Sequence, residues 1–183
     1  VTKIIKCLSK NLAYKNKWFT LYHDDVEFPD GKRGNYTKII EGTSGEAVVV
    51  IPCASDKRIG LIRIYRYSAA KWEWEFPRGI VEKGESLSAN AKRELSEETS
   101  LEARKLTLAG LFYPNDGLIT TLAHVYVAKG LSTNHKIHVQ KSEGIDRLRF
   151  LTKNELLKQV SKGRIRDGFT LSALFLALTR KLL

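Results

Sequence analysis

The chain has 183 residues, 43% apolar and 28% charged, the composition of an ordinary folded domain and not of a disordered or disulfide-stapled chain. Its formal charge of +11 is uneven: residues 1–44 hold eight basic and five acidic groups, residues 45–128 eleven of each, and residues 129–183 twelve basic and four acidic. The longest apolar run, around Leu174–Leu178, is far too short to span a membrane, and no stretch reads as a signal peptide.

In chain order, 18–23 and 25–28 carry the aromatic and β-branched residues that strands favour. The turn-rich stretch 29–35 separates them from another strand at 36–40. Together they predict a small antiparallel meander, too thin to bury much by itself. Residues 41–46 read as a hinge, so the expected organisation is a β subdomain over 1–44 and a main domain over 45–183.

The apolar run 47–51 predicts a strand covered on both faces. Residues 60–67 and 71–76 alternate, as half-buried strands do, with Arg63 and Arg66 on polar positions. The clearest helix is 86–100, with Ser86 as N-cap and Leu87, Ala91 and Leu95 as its buried stripe. Further strands are expected at 106–113, 122–128 and 145–151. Helices follow at 153–163 and 168–182, the last with Leu171, Leu174, Phe175 and Leu178 facing inward. Strands mixed with three helices predict an α/β or α+β layer fold.

The helix 86–100 carries an electrostatic problem. Glu94, Glu97 and Glu98 crowd one region of its surface, where like charges three and four residues apart repel. A carboxylate cluster on a rigid element fits hard divalent cations such as Mg²⁺ or Mn²⁺, which would cancel that repulsion. A solvated acidic face is the plainer alternative. The basic last third points to an anionic ligand, a phosphorylated small molecule or RNA, or else to a solvated surface. Cys7 and Cys53 have no metal-ligand spacing and read as reduced core thiols of a cytosolic protein. His23, His124, His135 and His138 read as solvated, and Trp72 and Trp74 as packing residues.

Residues 79–101 then resemble the signature of the Nudix hydrolase family. Gly79 is followed after five residues by Glu85, and that after seven by Arg93 and Glu94; Leu95, Glu97, Glu98 and Leu101 complete the pattern. Ser100 stands where the family has glycine, a place that favours positive φ. The resemblance implies a Nudix α/β/α sandwich with a mixed sheet and cleavage of a phosphoanhydride in a nucleoside diphosphate linked to another group. It implies Glu94 and Glu98 as main metal ligands, Glu97 as a further one, and Arg93 holding the glutamates. The carbonyl of Arg78 would add a ligand, and Glu85 would ligate or brace the loop.

Beyond the signature, segments 18–36, 61–67, 74–79 and 165–177 resemble the ADP-ribose pyrophosphatase branch, which has a small residue where Arg78 stands. That branch implies a homodimer with exchanged N-terminal strands; the short apolar runs leave no membrane partner expected, and the basic charge keeps nucleic acid as a less favoured one. It implies Arg63, Arg66 and Pro114 as substrate contacts. The base that activates water would be Glu143, with Asp146 or Glu97 as alternatives. Phe28 or Tyr113 are candidates to stack on the adenine.

Overall fold

A computed structural model describes residues 2–133 and 139–183; His135 and His138 lie outside them. The chain opens with β1 (Lys6–Ser9), β2 (Leu12–Lys15), β3 (Phe19–Glu27) and β4 (Arg33–Glu41), one antiparallel sheet. β3 is its spine, pairing with β4 along its length and with β2 and then β1 on its other edge. The break expected near residue 24 is absent. Asp24 sits inside β3, 3% exposed, because Lys38 of β4 reaches its carboxylate at 2.5 Å and the Asn11 amide donates to it at 3.0 Å. A buried carboxylate with those partners is tolerable, and one without them is not.

β1 and β2 were not expected. Each is four residues long and exposed throughout, so neither shows a burial pattern. Cys7 lies in β1 and is exposed, which corrects its reading as a core thiol; Cys53 is buried. The apolar side chains around it, Ile4, Leu8, Leu12 and Tyr14, are exposed as well.

The remainder runs β5 (Glu46–Pro52), β6 (Ile59–Arg66), β7 (Lys71–Glu75), β8 (Arg78–Ile80), α1 (Leu87–Thr99), β9 (Glu102–Phe112), β10 (Leu122–Ser132), β11 (Ile145–Leu151), α2 (Lys153–Ser161) and α3 (Gly168–Thr179). Strands β8-β5-β10-β9 form a mixed sheet in which β5 and β10 are parallel; β11-β6-β7 form an antiparallel one. β5 shows why its sequence is apolar at every position. Val48 and Val50 pack with Ala91 and Leu95 of α1. Val49 and Ile51 pack with Leu156 of α2 and Ala173, Leu174 and Ala177 of α3. The arrangement is an α/β sandwich, as expected.

β9 and β10 extend past the predicted ends as a long antiparallel pair, from Phe112 opposite Ala123 to Glu102 opposite Ser132. Their polar far ends pair through the backbone, which hydrophobic patterning does not report. α3 ends at Thr179, and its Phe175 is 66% exposed, contrary to the inward position expected. The small residues Ala173 and Ala177 occupy the contact instead and let the helix approach the sheet. His124 is buried, with Nε2 3.3 Å from Glu46 Oε1, and so is not solvated.

The first sheet is tied to the main body through the loop after β9. The Ile39 amide donates to the Leu118 carbonyl at 2.8 Å, and the Thr120 amide donates to the Ile39 carbonyl at 3.0 Å. Tyr36 Oη donates to the Gly117 carbonyl at 3.0 Å, and Thr121 Oγ1 donates to Glu41 at 2.6 Å.

Candidate active site

α1 forms where predicted. Ser86 caps its start by accepting from the Ala89 amide at 3.2 Å, and Ser100 ends it in the left-handed region at φ 58°. Ala91 and Leu95 fix the helix against β5. That rotation buries Asn90, Glu94 and Glu98 and leaves Glu97 exposed.

Gly79 of β8 faces Glu94 at close range. A Cβ there would lie 2.1 Å from the carboxylate carbon and one of its oxygens. A side chain at 79 would have to displace that carboxylate. The neighbouring amide of Arg78 donates to Glu98 Oε2 at 3.1 Å. β8 thus locates both buried carboxylates.

Arg93 offsets much of the repulsion. Its Nη1 lies 2.9 Å from Glu94 and 2.8 Å from Glu97, and its Nε and Nη2 each lie 3.2 Å from Glu85. Burial works against the guanidinium charge, but the bond to Glu85 and the charges of Glu94 and Glu97 outweigh it and raise its pKa. Glu85 also accepts from Asn90 Nδ2 at 2.8 Å, and the same amide donates to the Ile80 carbonyl at 3.1 Å. Glu85 therefore braces the loop onto α1, with both oxygens engaged. Asn90 escaped sequence reasoning; its signal was a polar residue one turn before Glu94, on the buried side.

Glu94 and Glu98 resist ionisation. Burial pushes Glu94 up to about 7, with Arg93 pulling down and Glu97 and Glu143 pushing up. Burial pushes Glu98 up to about 8, helped by the Glu94 charge. Among the described residues Glu98 has no cationic side chain in ion-pair contact. Glu143, in a single turn over Lys141–Glu143, accepts from Gln140 at 3.1 Å, and its charge is felt by both glutamates.

Behind the carboxylates lies a charged network unseen in the sequence. Glu75 is 1% exposed and accepts from Arg66 at 2.5 and 2.9 Å and from Arg78 at 3.4 Å. The Arg78 guanidinium lies over the Phe169 ring at 4.2 Å and 3.8 Å from Asp167, the N-cap of α3. Arg66 is thus not on a bare strand edge. Arg63 is held by Asp146, with Nε at 2.8 Å and Nη2 also in contact, and it lies over Trp72 at 4.7 Å. The bond from Arg63 holds the Asp146 carboxyl below the usual range, which makes it a poor base.

Pro114 sits in the loop docked on β4, half-buried, beside a cavity of about 330 Å³ that Tyr36 and Tyr113 help to line. A second cleft, about 300 Å³, is lined by Ile80 of β8 with Trp18, Phe19, Ile39, Glu41 and Ile119. Trp18, 67% exposed, was not singled out in the sequence.

The donor set is made of carboxylates, the chemistry that hard divalent cations require. Among the described residues, no three His, Cys, Asp or Glu side chains converge to enclose an ion, since Arg93 holds Glu94 and Glu97. The placement of the Glu94 carboxylate against Gly79 and the reluctance of Glu94 and Glu98 to ionise fit a cation that would supply the missing positive charge.

Comparison with known proteins agrees with this geometry. The NUDIX domain profile matches residues 43–169, and that of the nucleoside diphosphate sugar hydrolase N-terminal domain matches residues 5–39. An ADP-ribose pyrophosphatase of Bacillus subtilis is 31% identical over 170 residues, 92% of this chain and 90% of that protein. A methanol dehydrogenase activator of Bacillus methanolicus is 31% identical over 169 residues, 92% of this chain and 89% of its own. A solved structure described as an ADP compounds hydrolase shares the fold with a TM-score of 0.85 at 24% identity, covering 100% of this chain and 96% of that one. This chain belongs to the Nudix hydrolase family.

Proposed function

We propose that this enzyme hydrolyses the phosphoanhydride of a nucleoside diphosphate sugar, ADP-ribose above all, to AMP and ribose 5-phosphate. The observation that carries the reading is the buried Glu94 and Glu98 pair, set against Gly79 and the Arg78 amide. Its relatives named for ADP-ribose or ADP compounds support the substrate class.

Glu94 and Glu98 would hold Mg²⁺, or Mn²⁺ in its place, with Glu97 and the Arg78 carbonyl as further donors. Such an ion, when bound, neutralises diphosphate oxygens and lowers the pKa of water. The chain's own residues do the rest. Arg93 positions Glu94 and Glu97 while Glu85 and Asn90 hold Arg93 and its loop. Arg66, anchored by Glu75, presents positive charge beside Glu98, as its effect on the Glu98 carboxyl indicates. Arg63 is the second phosphate contact in this reading. Glu143, exposed and with its charge felt by both buried glutamates, accepts the proton of the attacking water, with Glu97 as the alternative. The cleft beside Ile80 receives the nucleobase on Trp18, which supplies the π surface that a base requires.

The same reading makes the protein a homodimer. Ile4, just before β1, and Leu8, Leu12 and Tyr14 on the first strands lie exposed, more apolar surface than so short a segment leaves bare without a cover. A second copy provides it, with residues 1–44 as the exchanged unit. A reducing cytoplasm is the compartment this reading assigns, and the two free cysteines support it. No helix is long and apolar enough to cross a membrane among the described residues.

A panel of diphosphates with Mg²⁺, products read by mass spectrometry, tests the proposal. AMP from ADP-ribose is expected. Turnover of other diphosphates only would move the substrate; nucleotide binding with no turnover of any would sink the enzymatic role.

A further inference from the structure

Charge in the last third of the chain is only partly used by the site described above. Arg147 and Arg166 pair with carboxylates, as most arginines of this chain do. Arg149 and Arg164 have no carboxylate partner among the described residues. Yet both open onto one small cleft between β11 and the end of α2, about 170 Å³ in volume. Gln159 completes its polar rim, and Trp74, Leu151 and Ile165 supply an apolar wall.

Arg164 makes one weak contact, 3.4 Å from Nη1 to the Gln159 side-chain oxygen. Glu155 feels the Arg149 charge but makes no ion-pair contact with either arginine, and its Oε2 accepts from the Thr152 amide and hydroxyl at 2.8 Å each. Three carbonyls in the last turn of α2 are already engaged. The carbonyls of Lys158, Gln159 and Val160 already accept from the amides of Lys162, Arg164 and Gly163. Two guanidinium groups, each with five donors, thus border one cleft in which the Gln159 oxygen is the one acceptor seen to engage them among the described residues.

The cleft is separate from the catalytic carboxylates. Alternation along β7 sends Glu73 and Glu75 to one side and Trp74 to the other. Trp74 packs on the core shared with α2 and α3, while Glu94 and Glu98 belong to α1.

The geometry points to a second anion site here, taking a small phosphate monoester whose organic part lies on Trp74, Leu151 and Ile165. Its phosphoryl oxygens accept from Arg149 and Arg164, and guanidinium suits bidentate capture of phosphate. The volume falls below the roughly 300–1,000 Å³ of drug-sized pockets, which favours a single phosphate with a small ring over a nucleic acid strand.

The test is titration of the full-length protein with phenyl phosphate and with inorganic phosphate, followed by amide and indole NMR shifts. Phenyl phosphate is expected to give saturable shifts at Trp74, Arg149, Gln159 and Arg164, and to bind more tightly than inorganic phosphate. Arg149→Gln and Arg164→Gln should each weaken binding at least about tenfold, a difference of about 1.4 kcal/mol. Arg149→Lys and Arg164→Lys should retain part of it, and Glu98→Gln should leave it unchanged, so the result stands apart from any loss of hydrolysis. Absence of saturable shifts, shifts confined to α1 and β8, or binding that survives in the double Gln variant would overturn the proposal. So would displacement of phenyl phosphate by single-stranded oligonucleotide with shifts spread over the basic surface.

Discussion

Gly79 and Glu94 are fitted to one another: the carboxylate fills the space that any side chain at 79 would need, 2.1 Å from an added Cβ. The small residue and the acid fifteen positions later act as one unit, one on a strand and one on a helix.

Gly79→Ala should therefore fold but lose activity. The added methyl must push the Glu94 carboxylate aside, and a shift of about 1 Å in a catalytic group costs on the order of 100-fold in rate. Steady-state kinetics beside circular dichroism checks it; an Ala variant with native kcat/KM contradicts the fit.

Stability should depend on pH in a direction set by Glu94 and Glu98. Both are raised from an ordinary 4.5, to about 7 and about 8. The folded state then binds more protons than the unfolded one between pH 4.5 and 8. Without divalent cation, stability contributed by the protonated pair is full below pH 4.5 and is lost as pH rises through 7 to 8. Mg²⁺ needs the ionised carboxylates, so its thermal stabilisation should grow from about pH 6 to about pH 9. Melting curves with and without Mg²⁺ at those pH values decide it. A constant or shrinking shift goes against the assignment.

Glu75 should matter more for stability than its place in an alternating strand suggests. Replacing it with Ala leaves Arg66 and Arg78 beside an empty, buried acceptor site, a change that typically costs about 3–5 kcal/mol. Arg66→Ala should cost less, because Arg78 still pairs with the buried Glu75 carboxylate at 3.4 Å. Urea unfolding of the two variants gives the order; a milder effect for Glu75→Ala reverses the account.

Ser100 holds φ 58° at the end of α1, a conformation glycine adopts without strain. Ser100→Gly should stabilise the fold by about 0.5–1 kcal/mol and leave kcat within about twofold. A destabilised Gly variant would show that the serine side chain contributes more than its backbone costs.

What the sequence made legible was local. The bounds of α1, its caps and the glutamates follow from spacing within a few turns, and the bare run 47–51 announced a strand buried on both faces. Contacts set by register between distant segments were hidden. Nothing in 71–76 distinguishes Glu75 from Glu73, and only the pairing of Ile62 with Glu75 across β6 and β7 brings Arg66 over that carboxylate. β1 and β2 were hidden for the opposite reason, since strands exposed at every position carry no alternation. Trp18 reads as a strand residue until β4 and the loop at Ile119 fold beside it.

The most direct measurement is release of AMP from ADP-ribose by the wild-type enzyme and by Glu98→Gln, each with Mg²⁺ and with chelator. The glutamine amide keeps an oxygen to accept from the Arg78 amide, so the fold should persist. The account predicts AMP and ribose 5-phosphate in equal amounts from wild type, no turnover with chelator, and none from the Gln variant with its melting curve near wild type. Turnover by Glu98→Gln at the wild-type rate, or hydrolysis indifferent to chelator, would contradict it.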